Sequence, residues 1–251
     1  MCRKKLLEHQ FTWPPEKFRA ETKELSKIWY LWAPLLSAIF LLTLAWIERP
    51  FYKKWFESEQ TGLLEFLHFI LPVVTALIAI RCLFHPFVRR NKFLIFWFAV
   101  MAAGGIYLGG EEASWGQHYV GWNTPDFWVG VNDQQETNLH NTSFLLDQYP
   151  RTILKIGILV SAIIFPWFIL NKPHLVMRQF DFVYPPLAAL PLALMILATE
   201  IYSKLQGEVS WTIIKLVRGG EFQENYISWF LVYYAFCLLW RLRKTDASAI
   251  S

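Results

Sequence analysis

Apolar residues run along this chain in six long blocks separated by polar stretches. Each block approaches the ~20 residues that an α-helix needs to cross a bilayer core. The pattern predicts six transmembrane helices, at about Ile28–Ile47, Leu63–Phe84, Phe93–Leu108, Thr152–Leu170, Val183–Tyr202 and Tyr226–Trp240. Pro185, Pro186 and Pro191 crowd the start of the fifth. An arm over residues 1–27 precedes the helices, and a tail over 241–251 follows them. A long connection over 109–150 joins the third helix to the fourth. The expected fold class is all-α, a polytopic membrane protein. The arm mixes Lys and Glu with Phe11, Trp13 and Phe18, which suits an interfacial helix that Pro14 and Pro15 would interrupt.

The positive charges give this outline a direction. Arg3 to Lys27 in the arm, Arg89, Arg90 and Lys92, Lys172 and Arg178, and Arg241, Arg243 and Lys244 all fall on one side of a six-helix layout. The stretch from Gly109 to Pro150 carries no Lys or Arg. The positive-inside rule then places both termini in the cytoplasm and the 109–150 connection outside. Arg49, Lys53, Lys54, Lys204, Lys215 and Arg218 lie on the outer side and weaken the bias without reversing it. Trp and Tyr gather near the predicted helix ends, where amphipathic rings favour the headgroup level.

Composition agrees. Hydrophobic residues make up 55% of the chain and charged residues 18%, too apolar for an ordinary soluble domain. The net charge of +4 reports orientation, so no nucleic-acid partner is expected. The expected surroundings are membrane lipid; oligomeric state is not legible. Cys2, Cys82 and Cys237 are far apart, which supports neither a disulfide framework nor a thiolate metal site.

The candidate chemistry concentrates where the outer ends of the helices would meet. Glu65 and His68 begin the second helix at a spacing of three, on one helical face. Glu111, Glu112, Ser114 and His118 follow the third, and Glu136 and His140 lie in the outer connection. Glu200 ends the fifth helix, and Glu221 and Glu224 precede the sixth. All could converge on one outer-leaflet pocket. Glu-x-x-His pairs on facing helices build carboxylate-bridged metal sites in bundles, and such ligands suit zinc, iron or manganese. The expected metal ligands are Glu65, His68, Glu111, His118, Glu136 and His140, with Glu111 and Glu112 as catalytic carboxylates.

Plainer readings stand beside this one. Glu65 and His68 could mark only a helix start, where the dipole favours a carboxylate. Glu136 and His140 could tie down a loop, with Asn138 and Asn141 assisting. Glu111 and Glu112 are harder to dismiss, because acids are disfavoured at a helix C-terminus. Glu200 is too short to snorkel far. Glu221 and Glu224 read as a solvated helix start. Ser114 or Ser143 with a histidine could suggest a nucleophile and base, but no Gly-x-Ser-x-Gly context supports it. Gly105-x-x-x-Gly109 would allow two helices to approach closely.

The string Gly110-Glu111-Glu112-Ala113-Ser114-Trp115-Gly116-Gln117, followed by Glu136-Thr137-Asn138-Leu139-His140-Asn141, resembles a family of uncharacterised polytopic bacterial membrane proteins. The resemblance is confined mainly to this connection. It implies a bacterial inner-membrane location and carries no established activity. Taken together, the residues lead to the expectation of a membrane-embedded, metal-dependent enzyme, a hydrolase of a lipid or lipid-linked substrate at the outer leaflet or a dimetal oxidase of an acyl chain. The alternative is a non-enzymatic membrane protein, such as an accessory subunit, a lipid-binding protein or a small transporter.

Overall fold

The computed structural model describes residues 25–58, 62–132, 134–177, 180–208 and 217–250. The expected interfacial helix of the arm, and Cys2, lie outside these residues. A π-helical turn, Ile28–Trp32, leads into α1 (Ala33–Ile47). There follow α2 (Arg49–Trp55), α3 (Leu63–Leu83), α4 (Pro86–Arg89) and α5 (Lys92–Glu112). The long connection holds two short helices, α6 (Gln117–Val120) and α7 (Asp126–Val131). Next, α8 (Phe144–Leu159) passes through a π turn, Val160–Ile164, into α9 (Phe165–Asn171). The chain then forms α10 (Leu190–Glu208) and α11 (Gly219–Ile250). Among the described residues there is no strand.

Five helical stretches are long and apolar enough to cross a membrane: Ile28–Ile47, Leu63–Leu83, Lys92–Glu112, Gln148–Asn171 and Leu187–Gln206. Their outward faces are as apolar as their interior. Leu36, Leu77, Phe96 and Ile153 are 57%, 60%, 63% and 70% exposed. A water-soluble bundle would present polar side chains there. Polar groups are found inside instead, including His68, Thr75, Thr199, Gln223, Asn225 and Ser228.

The sixth predicted helix forms within α11, yet it is less apolar than the other five. Its position supplies the reason. Tyr226, Phe230, Tyr233, Cys237 and Leu238 are buried, and α11 packs against α3 and α10. A helix enclosed by other helices needs less apolar surface than one facing lipid. The helix also continues past Trp240, through the stretch expected to be a tail. Arg241, expected to be a cytoplasmic tail charge, is buried and donates to the carbonyls of Phe182 and Tyr184, the latter at 2.8 Å.

Close packing of α3 on α5 sets the site. A Cβ added at Gly105 would lie 2.6 Å from the Pro72 carbonyl, and one at Gly109 would lie 2.8 Å from Val73 Cγ2. The two helices therefore approach as only glycine permits, as the Gly-x-x-x-Gly spacing led one to expect. At the start of α5 the Asn91 side chain accepts from the amides of Phe93 and Leu94, at 2.9 and 3.3 Å. At its far end α5 runs beyond Leu108, through Gly109 and Gly110, to Glu112. Cys82 and Cys237 are buried in the core as thiols.

Candidate functional site

One end of the bundle encloses a cavity of about 250 Å³. It is lined by Glu65, Glu111, Glu112, His118, Gln134, Glu136, His140, Asn141, Arg151, Arg218, Glu221 and Glu224. The acids predicted to converge do so, with two exceptions. His68 lies just behind the cavity, and Glu200 pairs elsewhere, with Lys155 at 2.6 Å and Lys204 at 3.1 Å. Within the cavity wall the polar residues divide into two groups with different characters.

The deeper group comes from three helices. Glu65 and His68 sit in the first turns of α3, Glu112 is the last residue of α5, and Glu221 and Glu224 occupy the start of α11. Their ligand atoms form two overlapping triads, Glu65–His68–Glu221 and His68–Glu112–Glu224, each with all atoms within 4.8 Å of one another. His68 is 1% exposed, and neither ring nitrogen has a hydrogen-bond partner. Its Nδ1 stands 3.7 Å from a carboxylate oxygen of Glu221 and 3.7 Å from one of Glu224. Those separations are too long for hydrogen bonds. They are near the spacing of neighbouring donors around a shared cation, about 3–3.6 Å when each donor–metal bond is about 2.0–2.2 Å.

Two arginines balance part of the charge. Arg151, from α8, is hydrogen-bonded to Glu224 through NH1 and stands 3.8 Å from Glu112 through NH2. Arg218 stands 3.4 Å from Glu221. The four carboxylates of this deeper group thus face two guanidiniums, an excess of acid that a divalent cation would offset. Burial raises the Glu221 carboxyl above the usual carboxylate range, and the Glu224 charge adds to the rise, against the pull of His68, Arg218 and Arg151.

The shallower group is a hydrogen-bonded cap. Glu111 accepts from the backbone amides of Leu139 and His140, at 2.6 and 2.7 Å, and from the Trp115 indole at 2.7 Å. Glu136 accepts from Ser114 at 2.8 Å and Asn138 at 2.8 Å, and pairs with His118 Nε2 at 2.9 Å. Asn132 receives the amides of Gln134 and Glu136 and donates to Asn138. Gln117 accepts from the Thr137 amide at 2.8 Å. The two strings that carry the resemblance thus bind each other across the cavity mouth. The turn between α5 and α6 needs unusual backbone: Ser114, Trp115 and Gly116 have φ of 45°, 54° and 106°. Left-handed non-glycine residues cost free energy and persist where surrounding contacts hold them, as these do.

The expected ligand set is therefore redistributed. Glu65 and His68 belong to the deeper group. Glu111, His118, Glu136 and His140 do not join them in a triad among the described residues, because each is engaged by hydrogen-bond partners in the cap. Of the two expected catalytic carboxylates, Glu112 faces the deeper group, whereas Glu111 is held by three donors outside it. Adjacent residues on a helix point about 100° apart, so continuing α5 to Glu112 separates them. Glu221 and Glu224, expected to be solvated, are largely buried, with side chains 14% and 19% exposed. Arg151 was not singled out by sequence reasoning; its only signal is a guanidinium one residue past a connection devoid of cations.

The Ser114–His118 geometry also excludes a serine relay. Ser114 donates to Glu136 and accepts from Asn138, so its contact with His118 Nε2 at 2.9 Å is one in which the ring donates. Both Ser114 and Glu136 meet that same nitrogen. A relay needs the nucleophile and the orienting acid on opposite ring nitrogens.

Fold and site together define a class: a helical protein with five helices long and apolar enough to cross a membrane, and an acid–histidine chamber at one bundle end. No protein-family model matches the chain, and neither a curated protein nor a solved structure matches it.

Proposed function

We propose that this protein is a membrane-embedded, metal-dependent hydrolase acting on a lipid or lipid-linked substrate. In this reading α11 supplies a sixth span, both termini are cytoplasmic, and the chamber opens at the outer leaflet of a bacterial inner membrane. The distribution of Lys and Arg and the cation-free 109–150 stretch support that direction.

The observation that carries the proposal is His68. A buried imidazole with no hydrogen-bond partner is costly, and the four carboxylates that share its two triads make a cation the natural remedy. Four carboxylates and one imidazole form a hard, oxygen-rich set, which favours manganese or iron over zinc. Such an ion supplies an activated water and polarises the bond to be cut. His68, Glu65, Glu221 and Glu224 would hold the ion, Glu112 at the end of α5 would stand beside it as the base for its water, and Arg151 holds Glu112 and Glu224 in position. The cap holds His118 and Glu136 at the cavity wall.

Elemental analysis of gently detergent-purified protein is the direct test. The expected result is a stoichiometric divalent metal that is lost in His68→Ala and kept in His118→Ala. Protein that binds no metal when offered manganese, iron or zinc is incompatible with this reading. It would leave the chamber as a purely structural polar core.

A further inference from the structure

Resting on the metal-dependent reading, we infer that the group admitted to the chamber is a phosphate, presented either as a lipid headgroup or as a free ion. Two observations carry this. First, all twelve side chains lining the cavity are polar or charged, and none is apolar. An acyl ester or amide brings hydrocarbon with it, and ligand pockets for such groups are lined mostly by apolar side chains. This chamber has room for a compact hydrophilic group and a few waters: 250 Å³ is about eight waters at ~30 Å³ each.

Second, two guanidiniums stand in an otherwise acidic wall. Arg151 and Arg218 approach the candidate ligands from α8 and from the start of α11. A neutral carbonyl would gain little from them. A tetrahedral oxyanion fits a guanidinium fork beside a divalent cation, the arrangement that stabilises phosphoryl groups in general. Arg218 is the more exposed of the two, with its side chain 49% exposed against 31% for Arg151, and it stands 3.4 Å from Glu221.

The wall also makes the recognition conditional. Without a cation the lining carboxylates outnumber the two arginines and disfavour an anion. A divalent cation beside Glu221 and Glu224 would offset the acids nearest Arg151 and Arg218 and leave the guanidiniums freer to meet an anion. Phosphate affinity is therefore expected to depend on the cation, unlike simple adsorption to surface arginines.

The test uses full-length protein in detergent, with and without manganese, and follows the broadening of ³¹P resonances, which reports phosphorus close to the ion. The probes are orthophosphate and short-chain dihexanoyl phosphatidic acid. Binding of dihexanoyl glycerol and of a neutral glycoside is followed by calorimetry. Both phosphorus probes are expected to bind only when manganese is present. Arg218→Ala is expected to weaken them by about tenfold or more, as loss of a charge-assisted contact would, while manganese content stays unchanged. Arg218→Lys should recover part of the loss. Stronger binding of the phosphatidic acid identifies a lipid headgroup; stronger binding of orthophosphate identifies the free ion. Stoichiometric manganese with no phosphorus broadening overturns the phosphate inference and leaves the metal reading intact. So does equal binding of the glycoside, or an Arg218→Ala protein that binds as tightly as the parent. Failure to hold manganese at all overturns both.

Discussion

Glu111 and Glu112 are neighbours in the chain, yet their carboxylates serve different polar groups, the cap and the deeper cluster. Glu111 receives the amides of Leu139 and His140, while Glu112 joins His68 and Glu224. The two positions should separate cleanly on substitution. Glu111→Gln is expected to loosen the cap, seen as a lower melting temperature and faster proteolysis within 113–143, with metal still bound. Glu112→Gln is expected to weaken metal affinity by at least about tenfold while the cap stays protected. If both variants lose the cap and keep the metal, the division between the two groups is wrong.

The close approach of α3 and α5 gives a second expectation with an internal control. Gly105→Ala must push its methyl against the Pro72 carbonyl, whereas nothing lies within 4 Å of a Cβ at Gly104. The first change is expected to cost about 1–3 kcal/mol through overpacking and to reduce metal occupancy, since it levers His68 from Glu112. Gly104→Ala should leave both unchanged. Thermal unfolding and metal content, measured on both proteins, decide the matter.

Acid–base behaviour follows from Glu221. It faces Glu65 and His68 of α3, Glu112 of α5, Arg151 of α8, Arg218, and Glu224 on its own helix. Its folded carboxyl is raised above the ordinary range. Folding is therefore helped while the group is protonated, below the ordinary carboxylate range, and that help is lost as pH rises through the raised folded value. Metal-free protein is expected to lose melting temperature relative to metal-free Glu221→Gln as pH climbs from acid toward neutral, by about 2–4 °C for each kcal/mol lost; Glu111 and Glu200, held as carboxylates by their hydrogen bonds, act oppositely and equally in both proteins. A bound divalent cation should flatten that difference. A metal-free parent that gains melting temperature relative to Glu221→Gln over this interval would contradict the assignment.

Ser114 is fully buried and committed to Glu136, so it is not expected to act as a nucleophile. Fluorophosphonate should fail to label the protein. Ser114→Ala should cost about 1 kcal/mol or somewhat more for the lost hydrogen bonds and leave metal content intact. Covalent labelling at Ser114 would reopen the serine mechanism.

The helices were legible in the sequence because length and hydropathy are local properties. So was the pairing of Glu65 with His68, since a spacing of three places both on one face. The spacing of Gly105 and Gly109 showed that a helix could approach there, but not that the partner is α3. What was not legible depended on distant partners. Glu221 and Glu224 have the pattern of any solvated helix start; only α3 and Arg151, far off in the chain, make them part of a buried cluster. Lys155 falls inside the fourth predicted helix without any local sign of its partners, Glu200 and Gln223, which reach it from α10 and α11. His118 and His140 looked like ligands because residue type cannot reveal that amides and carboxylates of the same connection already engage them.

Enclosure of α11 also bears on how the protein is made. A segment rich in Tyr, with Gln223, Asn225 and Ser228 on its buried surface, partitions poorly into hydrocarbon as a solitary helix. In the proposed six-span arrangement its neighbours α3 and α10, which precede it in translation, offer it protein surface to insert against. The strand of chain that completes the chamber is then the one whose insertion depends on the others having assembled.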